Sequence, residues 1–219
     1  MSDPQLVIFD CDGVLVDSEA ISNRVLAEVL SECGLPTTTA DALREYKGRI
    51  LADVTARAEE RLGGSLPDGW IDRFEKARAD AFRAELQVVP GSADAVRAVS
   101  AAGIDVAVAT QGKPEKTALT LGITGLRDLF DDGAVFTSYE VERGKPFPDL
   151  FLHVAAARGA DPARCAVIED TTLGVQAAVA AGITVYGFAD ESDPDALREA
   201  GATATFTAMT QLPALLELS

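Results

Sequence analysis

Hydrophobic residues recur along the chain with two different spacings. A short apolar run over 6–9 has the β-branched and aromatic composition of a buried strand. From about residue 19 to residue 86 no such run occurs, and apolar residues recur at helical spacing, as they do at positions 21, 25, 26, 29 and 30. The spacing therefore predicts a purely helical segment, with helices over 39–46, 51–62 and 70–84 besides the one that contains 21–30.

The pattern changes after Pro90 and Gly91, where predicted strands and helices alternate. Strands are predicted over 104–110, 134–137, 165–168, 184–188 and 202–206, and helices over 93–102, 115–121, 150–158, 174–181, 195–200 and 210–218. Such alternation implies a parallel sheet with helices on both faces. We therefore predict an α/β fold. Its doubly wound, Rossmann-like core comprises residues 1–16 and 88–219, and a helical domain, residues 17–87, is inserted after the first strand.

The chain is strongly acidic. Its 219 residues include 19 Lys and Arg against 35 Asp and Glu, which gives a net charge of −16. Nucleic acids and anionic membranes are bound through clustered Lys and Arg, so the charge argues against both as partners. No protein partner is evident from the sequence. An anionic small-molecule substrate would need local cations to overcome the field of the whole protein.

The cysteines and the N-terminal residues bear on location. Cys11, Cys33 and Cys165 are widely spaced and odd in number, which suits a reducing compartment better than a disulfide framework. The first residues lack the basic segment and long apolar run of a signal peptide, and no stretch of about 20 apolar residues occurs. We therefore expect a cytoplasmic protein.

Polar side chains that can do chemistry follow several of the predicted strands. Ligands of open parallel sheets bind outside the carboxyl ends of the strands, which share one edge. We expect the following side chains to meet there: Asp10, Asp12, Thr110, Gln111, Lys145, Glu169 and Asp170. Carboxylates that lie close together repel each other and need a cation, and because only oxygen ligands are on offer we expect Mg²⁺.

Such a site suits a phosphoryl group. Lys145 and the metal would neutralise its charge, and Thr110 would donate a hydrogen bond. Asp10 and Asp12 lie two residues apart in extended chain, so one can attack phosphorus while the other acts as acid and then base. Simpler interpretations stay open here: a common Asp-Gly turn, a solvated loop lysine at 145, and carboxylates that merely cap the helix after residue 170.

Four motifs, in order, resemble those of the haloacid dehalogenase superfamily. The segment 9–19, Phe-Asp-Cys-Asp-Gly-Val-Leu-Val-Asp-Ser-Glu, resembles the first motif, and Thr110, Lys145 and the Glu169-Asp170 pair resemble the next three. The arrangement is similar to that of the β-phosphoglucomutase-like and sugar-phosphate phosphatase subgroup. This resemblance covers the whole chain and implies that residues 17–87 form an α-helical cap domain.

The resemblance also implies a role for each residue. It makes Asp10 the nucleophile and Asp12 the acid and base, with the backbone carbonyl of Asp12 also on the metal. The implied Mg²⁺ ligands are Asp10, Asp12, Glu169 and Asp170, with Glu169 either on the metal or just behind its ligands. The implied phosphate-binding residues are Thr110 and Lys145, and we add Gln111, which follows Thr110, as a third predicted phosphate contact.

Departures from the family pattern favour a phosphatase. Asp12 argues against a dehalogenase, because those enzymes lack the second aspartate. The β-phosphoglucomutases carry a His where Ser22 stands here and a cap arginine where Leu51 stands, while Arg49 lies two positions earlier. We therefore predict a Mg²⁺-dependent phosphatase that hydrolyses a sugar or sugar-acid phosphate through an aspartyl-phosphate, with Arg49 as a cap contact to the substrate. The alternatives are a phosphosugar mutase and a catalytically idle binding protein on the same fold.

Overall fold

A computed structural model of the chain describes residues 4–218. Residues 1–3 and 219, which the predicted core includes, lie outside the described residues, as does part of the N-terminal segment examined for a signal peptide. The chain divides into two compact units. One runs to Val16 and resumes at Val88, and the other comprises residues 17–87. We refer to them as the α/β unit and the helical unit.

A parallel sheet organises the α/β unit. Within residues 4–218 its six strands are β1 Leu6–Phe9, β2 Asp105–Thr110, β3 Val135–Thr137, β4 Cys165–Glu169, β5 Thr184–Phe188 and β6 Ala204–Phe206. Their order is β3-β2-β1-β4-β5-β6, and every pair is parallel. Because β1 lies in the middle, all four of its residues are fully buried, as an apolar run without alternation predicts.

Helices of the α/β unit cover both faces of its sheet. The described helices of the helical unit are α1 Glu19–Glu32, α2 Thr39–Tyr46, α3 Leu51–Leu62 and α4 Trp70–Glu85. Those of the α/β unit are α5 Ser92–Ala101, α6 Pro114–Ile123, α7 Asp149–Ala157, α8 Thr172–Ala180, α9 Pro194–Glu199 and α10 Leu212–Leu215. Leu6 and Ile8 share an apolar cluster with residues of α7, α8 and α9. Val7 and Phe9 point to the opposite face and are equally buried. The predicted doubly wound α/β class is confirmed.

The C-terminal segment differs from the prediction. The helix expected over 210–218 is a 3-10 turn, Met209–Gln211, followed by the four-residue α10. Pro213 stands at the start of α10, and Glu217 adopts a positive φ of 55°, which a continuing helix cannot accommodate. The predicted helix over 210–218 was wrong because apolar spacing does not show where the backbone leaves helical dihedral angles.

The helical unit has an apolar core of its own, to which Leu30, Tyr46, Trp70 and Phe74 contribute. Helix α2 begins at a capping box. The Thr38 hydroxyl accepts from the backbone N–H of Asp41, and the Asp41 carboxylate accepts from the backbone N–H of Thr38. Among residues 4–218, no helix combines the length and apolar character that crossing a membrane requires.

Candidate active site

The candidate residues lie where the parallel strands end. Phe9, Thr110 and Glu169 are the last residues of β1, β2 and β4. Asp10 directly follows the last residue of β1. Its N–H donates to Ile168 O at 2.9 Å, so the hydrogen-bond ladder between β1 and β4 continues past the end of β1. This fixes the backbone of Asp10 at the edge of the sheet, where the sequence pattern predicted it.

Lys145 joins two of the predicted carboxylates. Its Nζ lies 2.5 Å from Asp10 Oδ1 and 2.6 Å from Glu169 Oε1, and donates to Ala109 O at 2.9 Å. The ammonium group also sits 5.2 Å from the centre of the Phe151 ring. Only 7% of Lys145 is exposed, so its interpretation as a solvated loop lysine is wrong.

Burial and charge shift the ionisation of this pair in a defined way. Burial raises the pKa of Asp10 to about 7, with the Lys145 charge acting against the rise and the charges of Glu169 and Asp12 adding to it. Burial alone would lower the pKa of Lys145, but the carboxylates of Asp10 and Glu169 outweigh it and raise that pKa. Lys145 therefore stays protonated, and full ionisation of Asp10 at neutral pH calls for additional positive charge.

Glu169 is held by protein donors at both carboxylate oxygens. Oε1 accepts from Lys145, while Oε2 accepts from the N–H and hydroxyl of Thr171 at 2.9 and 2.8 Å. Thr171 in turn caps α8 by accepting from Gly174 N at 3.0 Å. A Cβ at Gly174 would lie 1.8 Å from Glu169 Oε1, so only glycine leaves room for this carboxylate. The helix cap is thus Thr171, and Glu169 links the cap to Lys145.

Asp170 lies against the turn that follows β1. Gly13 has a φ of +82°, and its N–H closes the turn by donating to Val16 O at 2.9 Å. A Cβ at Gly13 would stand 2.4 Å from Asp170 Oδ2. Only glycine permits this approach, which brings a buried carboxylate from the end of β4 to the backbone that carries Asp10 and Asp12.

Asp12 contacts a hydroxyl and a lysine. Thr110 Oγ1 lies 3.4 Å from Asp12 Oδ2 and accepts from Gly112 N at 3.0 Å. Asp12 Oδ1 forms an ion pair with Lys116, a residue that sequence reasoning missed. The signal was available in principle, since Lys116 stands on the first turn of α6, directly after the strand that ends at Thr110.

The two remaining predicted residues have different surroundings. The Gln111 side chain runs along the loop that carries Lys145, with Nε2 3.4 Å from Lys145 O. A Cβ at Gly144 would lie 2.2 Å from Gln111 Oε1, so this loop packs closely on it. Arg49 is an exposed residue of the helical unit, and its Nε donates to Glu45 O at 3.0 Å.

The donor set fits Mg²⁺. Among the described residues no three His, Cys, Asp or Glu side chains come together as a metal cluster. Mg²⁺, however, commonly uses one or two carboxylates and completes its shell with other oxygens and water. Asp170 lies against the turn after β1, so its carboxylate is close to the backbone that carries Asp10 and Asp12, and these oxygens are the ones that could hold the ion. When all four are ionised, Asp10, Asp12, Glu169 and Asp170 carry two more charges than Lys116 and Lys145, and a divalent cation would balance this excess.

Comparisons with known proteins agree with this geometry. The family model of the haloacid dehalogenase-like hydrolases matches residues 4–182. The 6-phosphogluconate phosphatase of Escherichia coli K12 is 29% identical over 216 residues, which cover 98% of this chain and 96% of that protein. A phosphorylated carbohydrates phosphatase from Thermotoga maritima is 33% identical over 206 residues, covering 91% and 93%.

A solved structure gives the same result for the fold. The crystal structure of a family hydrolase from Deinococcus radiodurans R1, with bound phosphate and sodium, superposes with a TM-score of 0.81 at 31% identity and covers 100% of this chain and 97% of that one. The chain therefore belongs to the haloacid dehalogenase-like hydrolase family, within its β-phosphoglucomutase-like and sugar-phosphate phosphatase subgroup, and its enzyme class is that of the phosphoric monoester hydrolases.

Proposed function

We propose that this hydrolase is a Mg²⁺-dependent phosphatase that cleaves a small phosphorylated sugar or sugar acid through an aspartyl-phosphate on Asp10. The observation that carries the proposal is the buried Lys145 bridge between Asp10 and Glu169. It holds a carboxylate with a fixed orientation beside a permanent positive charge, and such a charge stabilises a phosphoryl group in transfer.

In the first step a carboxylate oxygen of Asp10 forms a bond to phosphorus. The ester P–O bond breaks, and the leaving alcohol oxygen takes a proton from the carboxylic acid of Asp12. Lys145 and the Thr110 hydroxyl lie beside the two aspartates and would contact the phosphoryl oxygens. Gln111 holds the loop of Lys145 and is the third residue assigned to phosphate binding.

In the second step water attacks the phosphorus of the aspartyl-phosphate. Its proton passes to the Asp12 carboxylate, the bond between phosphorus and Asp10 breaks, and inorganic phosphate leaves. Asp12 thereby regains the proton that it gave to the leaving group. The cycle consumes one water and one phosphate ester and restores both aspartates.

The assigned Mg²⁺ ligands are the carboxylates of Asp10 and Asp170 and the backbone carbonyl of Asp12. When bound, the ion would supply positive charge to the phosphoryl oxygens and keep Asp10 ionised. Glu169 supports this set through Lys145, because both of its oxygens accept from protein donors. We place it behind the ligands.

The substrate class comes from the relatives, which are named as phosphatases of 6-phosphogluconate and of phosphorylated carbohydrates. We assign substrate selection to the helical unit as the cap, with Arg49 contacting an anionic end of the substrate. We place the enzyme in the cytoplasm, since Cys11, Cys33 and Cys165 are all described and all free thiols.

A panel of phosphorylated sugars and sugar acids tests the proposal. The purified chain should release inorganic phosphate from at least one member with Mg²⁺, lose this activity with EDTA and regain it when Mg²⁺ is restored. Asp10→Asn, which keeps the shape of the side chain, should release none. Isomerised hexose phosphate without net phosphate release, primed by a bisphosphate, would instead identify a mutase.

A further inference from the structure

Each aspartate of the first motif has its own lysine. Lys145, with 3% of its side chain exposed, pairs with Asp10, whereas Lys116, with 10% exposed, pairs with Asp12. Lys145 comes from the loop before α7, and Lys116 comes from the first turn of α6. The two pairs thus depend on different elements. The proposed reaction uses Lys145, but it leaves the pair between Lys116 and Asp12 without a role.

The backbone at Gly112 makes room for this second pair. A Cβ at Gly112 would lie 3.0 Å from Thr117 Oγ1, 3.2 Å from Lys116 Cδ and 3.3 Å from Thr110 Oγ1, all tighter than ordinary contact. The Lys116 stem and the Thr110 hydroxyl therefore pack over a position that has no side chain. These are the two groups that contact Asp12, Lys116 at Oδ1 and Thr110 at Oδ2. Contacts at both oxygens define the plane of the carboxylate.

We propose that Lys116 is a positioning residue that orients ionised Asp12 as the general base for hydrolysis of the aspartyl-phosphate. The inference rests on the proposed function. The contacts of Lys116 at Oδ1 and of Thr110 at Oδ2 fix the direction in which Asp12 presents its oxygens. That direction matters in the second half of the reaction, in which Asp12 must take a proton from the attacking water.

The atoms of that half-reaction define the task. The water oxygen bonds to phosphorus, its proton goes to Asp12, and the electron pair of the P–O bond returns to Asp10. Lys116 holds Oδ1, so we assign the proton to Oδ2. A positioned base contributes roughly 10²- to 10⁴-fold to such a step, and loss of its orientation should remove a part of that factor.

Stopped-flow kinetics with p-nitrophenyl phosphate separates the two halves. The p-nitrophenolate group leaves without a proton from Asp12, so formation of the aspartyl-phosphate is insensitive to that residue. Lys116→Met should give a burst of p-nitrophenolate stoichiometric with enzyme at the wild-type rate, followed by turnover slowed about tenfold or more. Because only the second step slows, kcat and KM should fall together and kcat/KM should stay unchanged.

Two further variants keep the test specific. Lys116→Arg preserves the positive charge and should restore part of kcat. Glu115→Gln changes an exposed residue on the same helical turn and should behave as the wild type. A merely structural role for Lys116 would lower thermal stability and kcat/KM without producing a burst.

The outcomes that overturn the inference are distinct from those that overturn the function. If Lys116→Met raises KM and lowers kcat/KM, the lysine binds substrate instead, and if it changes nothing, the pair is dispensable. Both results refute the inference while the wild type remains an active phosphatase. If the wild type cleaves neither p-nitrophenyl phosphate nor any phosphorylated sugar, the proposed function fails and the inference fails with it.

Discussion

The two units of this chain differ in how many charged side chains they bury. The α/β unit buries Asp10, Lys145, Glu169 and Asp170. In the helical unit, all of which is described, the polar residues that are buried as a whole are Ser18 and Asn23, which carry no charge, while half-buried Glu75 has one carboxylate oxygen shielded from solvent. Its ion pairs are exposed or half-buried, as between Arg44 and Asp41 and between Arg61 and Glu45. Buried charges lower stability unless they are paired, so a protein that keeps four of them together marks that place as functional.

Removal of the buried lysine gives the largest expected effect on stability. Lys145→Met keeps much of the apolar stem over Phe151 but leaves Asp10 and Glu169 without their cation. Above neutral pH the unfolding free energy should fall by about 3–5 kcal/mol. Turnover should be abolished. Urea unfolding measures the loss. The matched change in the helical unit, Arg44→Met, removes an exposed ion pair and should lower the unfolding midpoint far less. Equal effects of the two variants would contradict the comparison.

Crowding around the buried charges gives the next effect. Gly174→Ala would place a methyl group 1.8 Å from Glu169 Oε1 and displace that carboxylate, so we expect a loss of about 1–3 kcal/mol together with reduced turnover. Helix propensity alone predicts the opposite sign. Gly122→Ala, in α6, meets nothing within 4 Å and should stabilise the protein by up to about 1 kcal/mol. Thermal unfolding and phosphate release distinguish the two; a stabilised, fully active Gly174→Ala variant would show that Glu169 is not confined there.

Stability should depend on pH with opposite signs in the two units. The pKa of Asp10, about 7 when folded against 3.8 ordinarily, means that the folded chain holds a proton that the unfolded chain releases. This contribution is complete below pH 3.8 and is lost as pH rises through about 7. Hydrogen bonds from Thr38 and Arg44 lower the pKa of Asp41 to about 2, so its contribution is present above pH 3.8 and is lost as pH falls through about 2.

Chemical denaturation in EDTA at several pH values checks both signs. The unfolding free energy of Asp10→Asn should fall less between pH 3.8 and 7 than that of the wild type. Asp41→Asn should flatten the dependence of the unfolding free energy on pH between about 2 and 3.8 and leave its slope above pH 3.8 as in the wild type. An Asp10→Asn profile parallel to that of the wild type would assign the pH dependence to another group.

Thiol labelling gives the smallest effect. Cys11 lies between the two aspartates but is fully buried, and burial raises the pKa of its thiol, as it raises that of Cys165 to about 11. Cys33, at the end of α1, is half-buried. In the native protein a thiol reagent should modify Cys33 first, while Cys11 reacts only on unfolding. Rapid modification of Cys11 would show that the edge of the sheet opens.

The comparison also explains what the sequence could and could not predict. Strand β1 was predicted with its observed bounds because a run buried on both faces is continuously apolar. The order of Asp10, Thr110, Lys145 and Glu169 along the chain placed them at strand ends, and parallel pairing then brings those ends together. Such reasoning needs only the hydrophobic pattern and the rule that ligands bind at one edge of the sheet.

Side-chain reach lay beyond that reasoning. Lys116 was missed because only the residues that directly follow each strand were considered, whereas Lys116 stands on the first turn of the next helix and its reach to Asp12 depends on close packing at Gly112. The sequence also did not predict that Glu169 accepts from both Lys145 and Thr171, because the placement of its carboxylate depends on the lack of a side chain at Gly174. Glycines at close approaches carried information that periodicity did not.

The central claim is that Asp10 becomes covalently phosphorylated. Acid quenching of the enzyme within a single turnover of p-nitrophenyl phosphate, followed by proteolysis and mass spectrometry, tests it directly. We predict one phosphoryl group on the peptide that contains Asp10, present with Mg²⁺ and absent from Asp10→Asn. Phosphate release by the wild type without any phosphorylated Asp10, or with Asp10→Asn still active, would contradict the account.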